Sequence, residues 1–402
     1  MELQNTKYII LGAGPAGLTF ANRLLQLGES DFLIIEKENE AGGLCRSVNV
    51  DESPLDIGGG HFLDSKNQDV LDFVFGFMDK SEWNIFNRNS QIDLYGTFIN
   101  SPIEANIWQL PIDAQVEYLE SIAIAGCCLG EPMPEKFTDW IYWKLGKKIA
   151  DDYMIPYNRK MFGENLNELG TYWLNKLPNV SLKETFVSCL EKKAYGKQPG
   201  HAIFYYPKET GYGELWKLMA EKLGDRIIYN EAVSSIDYDS KIINGKYKAD
   251  KIISTIPWTS VTDHISMPAE IKGALNELKH TSVVISYQQD DIDTEAHWIY
   301  YPDPKKSFHR ILVRKNFCIG SKGYWTETNL DRFENDKSGN EFFINEYAYP
   351  LNTINKNNAI TGILQWAESK GVYGLGRWGE WQHYNSDVVV DLAIKKADNF
   401  IK

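Results

Sequence analysis

One segment near the N-terminus, residues 7–36, restricts what this chain can fold into more than any other. It opens with an apolar run, Tyr8-Ile9-Ile10-Leu11, of the length and composition of a buried strand. Gly12, Gly14 and Gly17 follow in the GxGxxG spacing, with Pro15 and Ala16 between them. Leu18, Ala21, Leu24, Leu25 and Leu27 then supply the apolar face of a helix, and Gly28 ends it. A second apolar run, Phe32-Leu33-Ile34-Ile35, closes on Glu36 and Lys37. Strand, glycine turn, helix, strand and acid in this order make a βαβ unit for a dinucleotide. Gly12 allows the tight turn, Gly14 leaves the backbone open to a pyrophosphate, and Gly17 lets helix and strand approach. The helix N-terminus offers unpaired N–H groups and a partial positive charge. Glu36 lies about 20 residues beyond the glycines, where a carboxylate accepts bonds from ribose hydroxyls.

A second glycine cluster narrows the choice of dinucleotide. Ala41-Gly42-Gly43-Leu44-Cys45-Arg46-Ser47 follows the second strand at once, where a plain nicotinamide-binding domain continues into another βα unit. Asp56-Ile57-Gly58-Gly59-Gly60-His61 comes soon after. Both stretches resemble the FAD-binding family of amine oxidases, phytoene desaturases and UDP-galactopyranose mutases. The resemblance implies that Gly43, Leu44 and Arg46 run along the phosphates and ribityl chain of FAD. It places Gly59, Gly60 and His61 beside the isoalloxazine ring. Glu231-Ala232-Val233 is similar to the family segment whose backbone, at Val233, pairs with adenine. Gly374-Leu375-Gly376-Arg377-Trp378-Gly379, ahead of a helix beginning near Asp387, is a further glycine turn suited to a phosphate or a flavin carbonyl.

At 402 residues the chain has room for two or three domains. A net charge of −13 argues against nucleic acid or an anionic membrane as main partner. No apolar stretch reaches the length of a membrane span, and the first residues lack the basic and apolar regions of a signal peptide. Five cysteines, with Cys127 and Cys128 adjacent, show neither zinc spacing nor a disulfide framework. No metal site is expected, and a reducing cytoplasm fits this usage; a homo-oligomer is left open. The 12 Trp, 22 Tyr and 18 Phe suit a core, and equally a pocket for a flat cofactor or a sugar.

The coarse pattern is α/β: a discontinuous Rossmann-like FAD-binding domain with an inserted helical domain and an antiparallel β-sheet substrate domain. Residues 1–60, 208–260 and 365–402 are assigned to the first, 101–195 to the second, and 61–100, 196–207 and 261–364 to the third. Ile92-Asp93-Leu94-Tyr95-Gly96-Thr97-Phe98-Ile99 reads as a hairpin. Helix starts fall at Pro111, near Phe137 and near Ser181. Ile227-Ile228-Tyr229-Asn230-Glu231-Ala232-Val233 reads as a strand, and a meander follows to Pro257.

Scattered segments carry a closer resemblance to the UDP-galactopyranose mutases, the eukaryotic type nearest. These are Gly59-Gly60-His61, residues 101–111, Tyr157-Asn158-Arg159-Lys160, Phe204-Tyr205-Tyr206-Pro207-Lys208, Tyr300-Tyr301-Pro302, Phe308-His309-Arg310, Tyr349-Pro350 and Gly376-Arg377-Trp378-Gly379-Glu380-Trp381. The resemblance implies a reduced flavin whose N5 takes the sugar from its nucleoside diphosphate, interconverting pyranose and furanose forms, with NAD(P)H or another reductant supplying electrons. In that scheme Arg310, Tyr300, Tyr349 and Lys176 steady the diphosphate, His61 holds the flavin, and Asn158 orients sugar or flavin. Asn385, Ser386 and Asp387 fall where the mutases keep polar groups on the flavin side. Such an enzyme serves cell-surface polysaccharide synthesis and takes a nucleotide-sugar. This chain departs from the pattern at several points. Lys176 stands for a second arginine, Ile103 and Glu104 replace an aromatic and an amide of the uracil segment, His201 replaces an asparagine, and Phe317 a tyrosine. The alternative is a flavin oxidase or desaturase of the amine-oxidase type.

Overall fold

The computed structural model describes residues 3–174, 177, 179–196, 202–334 and 341–401, and its first strand, Gln4–Leu11, is the axis of the larger sheet. That strand runs parallel to Phe32–Ile35 on one side and to Tyr247–Ser254 on the other. Ile227–Ile228 lies beyond the former; Ile242–Ile243, Ser235–Asp237 and Asp263–Ile265 continue beyond the latter, and Val372–Gly374 also pairs with Tyr247–Ser254. Helices Pro15–Gln26 and Ser386–Ile401 pack together on one face, where Phe400 meets Tyr8 and Phe20. Trp258, Trp378 and Trp381 and helix Lys356–Ser369 cover the other. Cover on both faces is why these strands are continuous apolar runs rather than alternating ones.

The expected strand through Val233 is shorter. It ends at Ile228, because Asn230 adopts φ +58° and turns the chain back. The N–H groups of Asn230 and Glu231 then donate to the carbonyls of Glu38 and Glu36. The sheet also extends past residue 260, since Asp263–Ile265 pairs in parallel with Ser235–Asp237. Its last segment begins before 365, with helix Lys356–Ser369. A three-residue strand such as Asp-His-Ile carries too little periodicity to be read from sequence.

The second sheet has the order Phe342–Pro350, His280–Gln288, Tyr324–Asn329, Arg310–Val313, Trp298–Tyr300, Ser90–Leu94, Thr97–Asn100. All its pairings are antiparallel except Trp298–Tyr300 with Ser90–Leu94. Between the sheets in sequence lies a helical lobe built on Ile112–Ala123, Phe137–Ile149, Ile155–Phe162 and Leu182–Glu191. The last is started by a capping box in which Ser181 and Glu184 exchange bonds. A π-type turn, Ala150–Met154, precedes Pro156 and carries Tyr153 and Met154 toward the cavity described below. No helix among the described residues is long and apolar enough to cross a membrane.

The close approach at Gly17 is a property of the protein itself. A Cβ there would sit 2.1 Å from the Gly12 carbonyl oxygen, so strand and helix meet only because none exists. Gly17→Ala is therefore expected to lower the apparent melting temperature of the flavin-free protein by several degrees, measured by circular dichroism.

Candidate functional site

The end of the first strand is a cradle with unused donors. The N–H groups of Gly14, Ala16 and Gly17 have no partner among the described residues. A Cβ on Gly14 would meet nothing nearer than Gly43 Cα at 3.9 Å, so the protein does not itself require glycine at this position. Gly43 brings the second glycine turn alongside: a Cβ there would lie 3.2 Å from Gly14 Cα. Gly376 in turn lies against the first helix, where a Cβ would come within 2.7 Å of Ala16 Cβ. Glu36 is buried at the tip of the second strand and accepts the N–H groups of Ala13 at 2.6 Å and Glu38 at 2.9 Å. Burial raises its pKa above the ordinary value. The N–H and C=O of Val233 carry no hydrogen bond among the described residues. Free N–H groups, an uncovered glycine, a buried carboxyl and an unpaired peptide edge fit the pyrophosphate, ribose and adenine of FAD.

A cavity of about 840 Å³ opens between the second sheet, the helical lobe and the last glycine turn. His61, Arg310, Tyr300, Tyr349, Asn158, Arg377, Asn385 and Ser386 all line it. Its floor is organised by Glu327, which sequence reading does not single out. Glu327 is fully buried; its Oε1 accepts the Gly60 N–H at 3.0 Å, and its Oε2 accepts Arg310 Nε at 3.0 Å and Nη2 at 2.5 Å. Burial alone would raise its pKa, but the Arg310 guanidinium reverses that and holds the carboxyl at about 2. Arg310 is only 20% exposed and stays protonated against its own burial because Glu327 faces it. His61 is neutral: burial and the nearby Arg377 charge push its pKa down to about 3. Burial likewise lifts the Tyr349 phenol to about 12.

Tyr300 exposes a second omission. Its hydroxyl oxygen accepts from Trp298 Nε1 at 2.9 Å and from Arg88 Nη2 at 3.1 Å. With two donors on the oxygen, the phenolic hydrogen points away from both and finds no acceptor among the described residues. Arg88 also lines the cavity, lies 5.0 Å from the Trp298 ring centroid, and has no carboxylate within ion-pair reach among the described residues. Arg310 is neutralised by Glu327; Arg88 is not. A lone arginine between Asn87 and Asn89 carries no motif, so only the fold reveals it.

The remaining candidates divide into committed and outlying groups. Asn158 Nδ2 donates to the Met154 carbonyl at 2.6 Å, and Ser386 shares a 2.7 Å bond with the Tyr212 hydroxyl. Arg377 spends Nε and Nη2 on the Tyr384 carbonyl and Nη1 on that of Ala348. It thus ties the last glycine turn to strand Phe342–Pro350. Arg46 donates to the Gly43 carbonyl and faces Glu38 and Glu40. Ser47 is consumed by Asp56 and the Gly213 N–H. Lys37 is 61% exposed beside Glu38 and stands apart from the cradle. Leu44 places its carbonyl against Gly58. Lys176 and His201 lie outside the described residues. Phe317 is buried in an aromatic cluster with Phe62, Tyr206 and Trp325, away from the cavity wall.

Two outcomes are expected from this geometry. Gly14→Ala leaves the melting temperature of flavin-free protein unchanged and weakens FAD binding at least about tenfold by fluorescence titration, since only the ligand needs that space. Glu327→Gln keeps an acceptor for Gly60 but strands the Arg310 charge, costing on the order of 3 kcal/mol in denaturant unfolding. In the wild type the contribution of Glu327 is whole above the ordinary value of 4.5 and is lost as pH falls through about 2. The variant has no such acid limb.

Comparison with known proteins follows the same lines. Residues 10–76 match the NAD(P)-binding Rossmann-like domain family. Across the whole chain the fold is that of a crystal structure of reduced UDP-galactopyranose mutase, with a TM-score of 0.86 at 23% identity over 99% of this chain and 94% of that one. Wild-type putrescine oxidase bound to putrescine shares the architecture more loosely, at a TM-score of 0.60 and 14% identity over the full length of both chains. A UDP-galactopyranose mutase of Mycoplasma pneumoniae is 34% identical over 98% of this chain and 96% of its own length. Identity of that level, sustained end to end and on the same fold, shows that the chain belongs to the UDP-galactopyranose mutase family.

Proposed function

We propose that the protein is an FAD-dependent isomerase that interconverts the pyranose and furanose forms of a nucleotide-linked sugar, with UDP-galactopyranose as its reference substrate. The observation that carries this reading is the meeting of Arg310, Arg88, Tyr300 and Tyr349 on one cavity with His61 and the last glycine turn. When bound, the reduced flavin supplies a nucleophilic ring nitrogen to the anomeric carbon. The residues then have to hold a departing diphosphate and return it. Arg88 and the outward hydrogen of Tyr300 meet the developing phosphate charge, with Tyr349 as a further phenolic donor. Arg310, fixed by Glu327, presents its remaining N–H groups without rotating away. His61, kept neutral, adds no second positive charge beside the flavin. Asn158 is oriented by the Met154 carbonyl toward the same space.

NAD(P)H or another reductant would supply the electrons that keep the flavin reduced. The furanose product serves cell-surface polysaccharide synthesis; this last step rests on the family alone.

The test is a dithionite-reduced sample supplied with UDP-galactopyranose and assayed for the furanose by chromatography. No furanose from protein that retains FAD sinks the reading. Arg88→Ala and Arg310→Ala are each expected to weaken UDP binding about thirtyfold, the worth of roughly 2 kcal/mol for a charged hydrogen bond. The flavin spectrum of Arg88→Ala stays that of the wild type, and uridine binding changes little.

A further inference from the structure

Lys160 is an ammonium enclosed by protein, 1% exposed, on a helix that otherwise serves the cavity. Tyr157, Asn158, Met161 and Phe162 of that helix line the cavity; Lys160 does not reach its wall. Its Nζ donates instead to the Tyr301 carbonyl at 2.9 Å and to the Phe308 carbonyl at 3.1 Å. Those carbonyls belong to opposite arms of one hairpin, whose strands are Trp298–Tyr300 and Arg310–Val313. Tyr300 and Arg310 face each other directly across its ladder, and just beyond them the Tyr301 N–H donates to the His309 carbonyl at 2.9 Å. A single ammonium therefore spans both arms, one residue past Tyr300 and two before Arg310.

The arrangement is costly for what it holds. No carboxylate lies within ion-pair reach of Lys160 among the described residues; Asp303 and Asp93 act on it from farther off, and Asp93 faces Lys306 at 3.5 Å. A buried charge without an acid depends on well-placed hydrogen bonds. Here those bonds join a helix to both arms of the hairpin. Tyr157, three residues earlier and so on the same helix face, adds ring contacts to Tyr300 at 5.4 Å and His309 at 5.9 Å between centroids. The Met161 carbonyl accepts Asn329 Nδ2 at 3.2 Å, which ties the helix end to the strand of Glu327.

We propose that Lys160 is a positioning residue for diphosphate binding: it sets the spacing and depth at which Tyr300 and Arg310 face the cavity, and acts only through them. This rests on the mutase reading. Glu327 holds the Arg310 guanidinium from the next strand, whereas Lys160 holds the backbone on which that side chain and the Tyr300 phenol are mounted. Its loss should therefore be felt by a ligand that carries phosphates and not by the nucleoside alone. It should also disappear once the two side chains it positions have been removed.

The experiment is a double-mutant cycle on FAD-loaded protein, read by calorimetric titration with UDP and with uridine. Lys160→Met fills the same space but releases both carbonyls. It is expected to raise the dissociation constant for UDP about tenfold and that for uridine less than about twofold, with the flavin spectrum unchanged. In a background of Arg310→Ala with Tyr300→Phe, the same substitution is expected to change UDP binding less than about twofold. Lys160→Gln keeps a donor for the carbonyls; it is expected to fall between wild type and Lys160→Met, and replaces the methionine variant in the cycle if that one does not hold FAD. Three results overturn the proposal while leaving the mutase reading in place: UDP affinity unchanged, equal losses for UDP and uridine, or a full loss that persists in the Arg310→Ala, Tyr300→Phe background. Failure of both Lys160 variants to hold FAD also overturns it, since the residue then supports the fold as a whole. Failure of UDP to bind wild type overturns both.

Discussion

A carboxylate with no exposure to solvent, Glu327, joins two parts of the chain that are remote in sequence, and the cavity depends on it. One oxygen holds the Gly60 amide; the other holds the Arg310 guanidinium. The first contact fixes the loop that presents His61, the second fixes the cation that faces the cavity. Gly59 is part of the same arrangement, since a Cβ there would fall 2.9 Å from Glu327 Oε1. The triple glycine before His61 is therefore shaped by a protein carboxylate beneath it as well as by the ring expected above it. Removing one member of such a pair costs more than the pair contributes, because the other is left charged in a poor solvent.

The glycine cradle was legible because its geometry is local. Gly12, Gly14, Gly17 and Glu36 are placed by backbone spacing and the end of a strand, and both survive in a linear reading. The same is true of Gly43, which meets Gly14 through two turns that each announce themselves. The substrate half was legible only where it matched a family. Arg310, Tyr300 and Tyr349 came from resemblance, and they do face one cavity. Glu327 and Arg88 did not come at all. Glu327 sits in Tyr324–Asn329, a strand with no unusual composition, and its importance arises from register: it lies directly opposite Arg310 in the antiparallel ladder. Arg88 reaches Tyr300 through the Ser90–Leu94 pairing with Trp298–Tyr300, a parallel contact across more than half the chain. Cross-strand register is the information that a sequence without its fold withholds.

The strand expected over residues 227–233, which ends at Ile228, teaches the same point in reverse. Its β-branched and aromatic residues favour extension, and they are extended up to Ile228. Beyond that the chain bends to satisfy its amides on the carbonyls of Glu36 and Glu38, which leaves Val233 unpaired beside the cradle. Completing the ladder would have closed that peptide edge. Departure from local propensity falls at the end of the sheet beside the glycine cradle.

Charge decides what such a cavity can hold. The chain carries −13 overall, yet the ionisable cavity wall among the described residues bears three guanidinium groups, Arg88, Arg310 and Arg377, against the carboxyls of Asp64 and Glu104. Glu327 cancels Arg310 from below. Arg377 is bound by carbonyl oxygens only, so its charge persists inside the fold, and it depresses His61 rather than pairing with an acid. The distant surface acids are screened over about 8 Å at physiological ionic strength, whereas the guanidinium groups of the wall act at contact. An anion entering therefore meets local positive charge in a negative protein, at Arg88 and Arg377, neither of which has a carboxylate within ion-pair reach among the described residues.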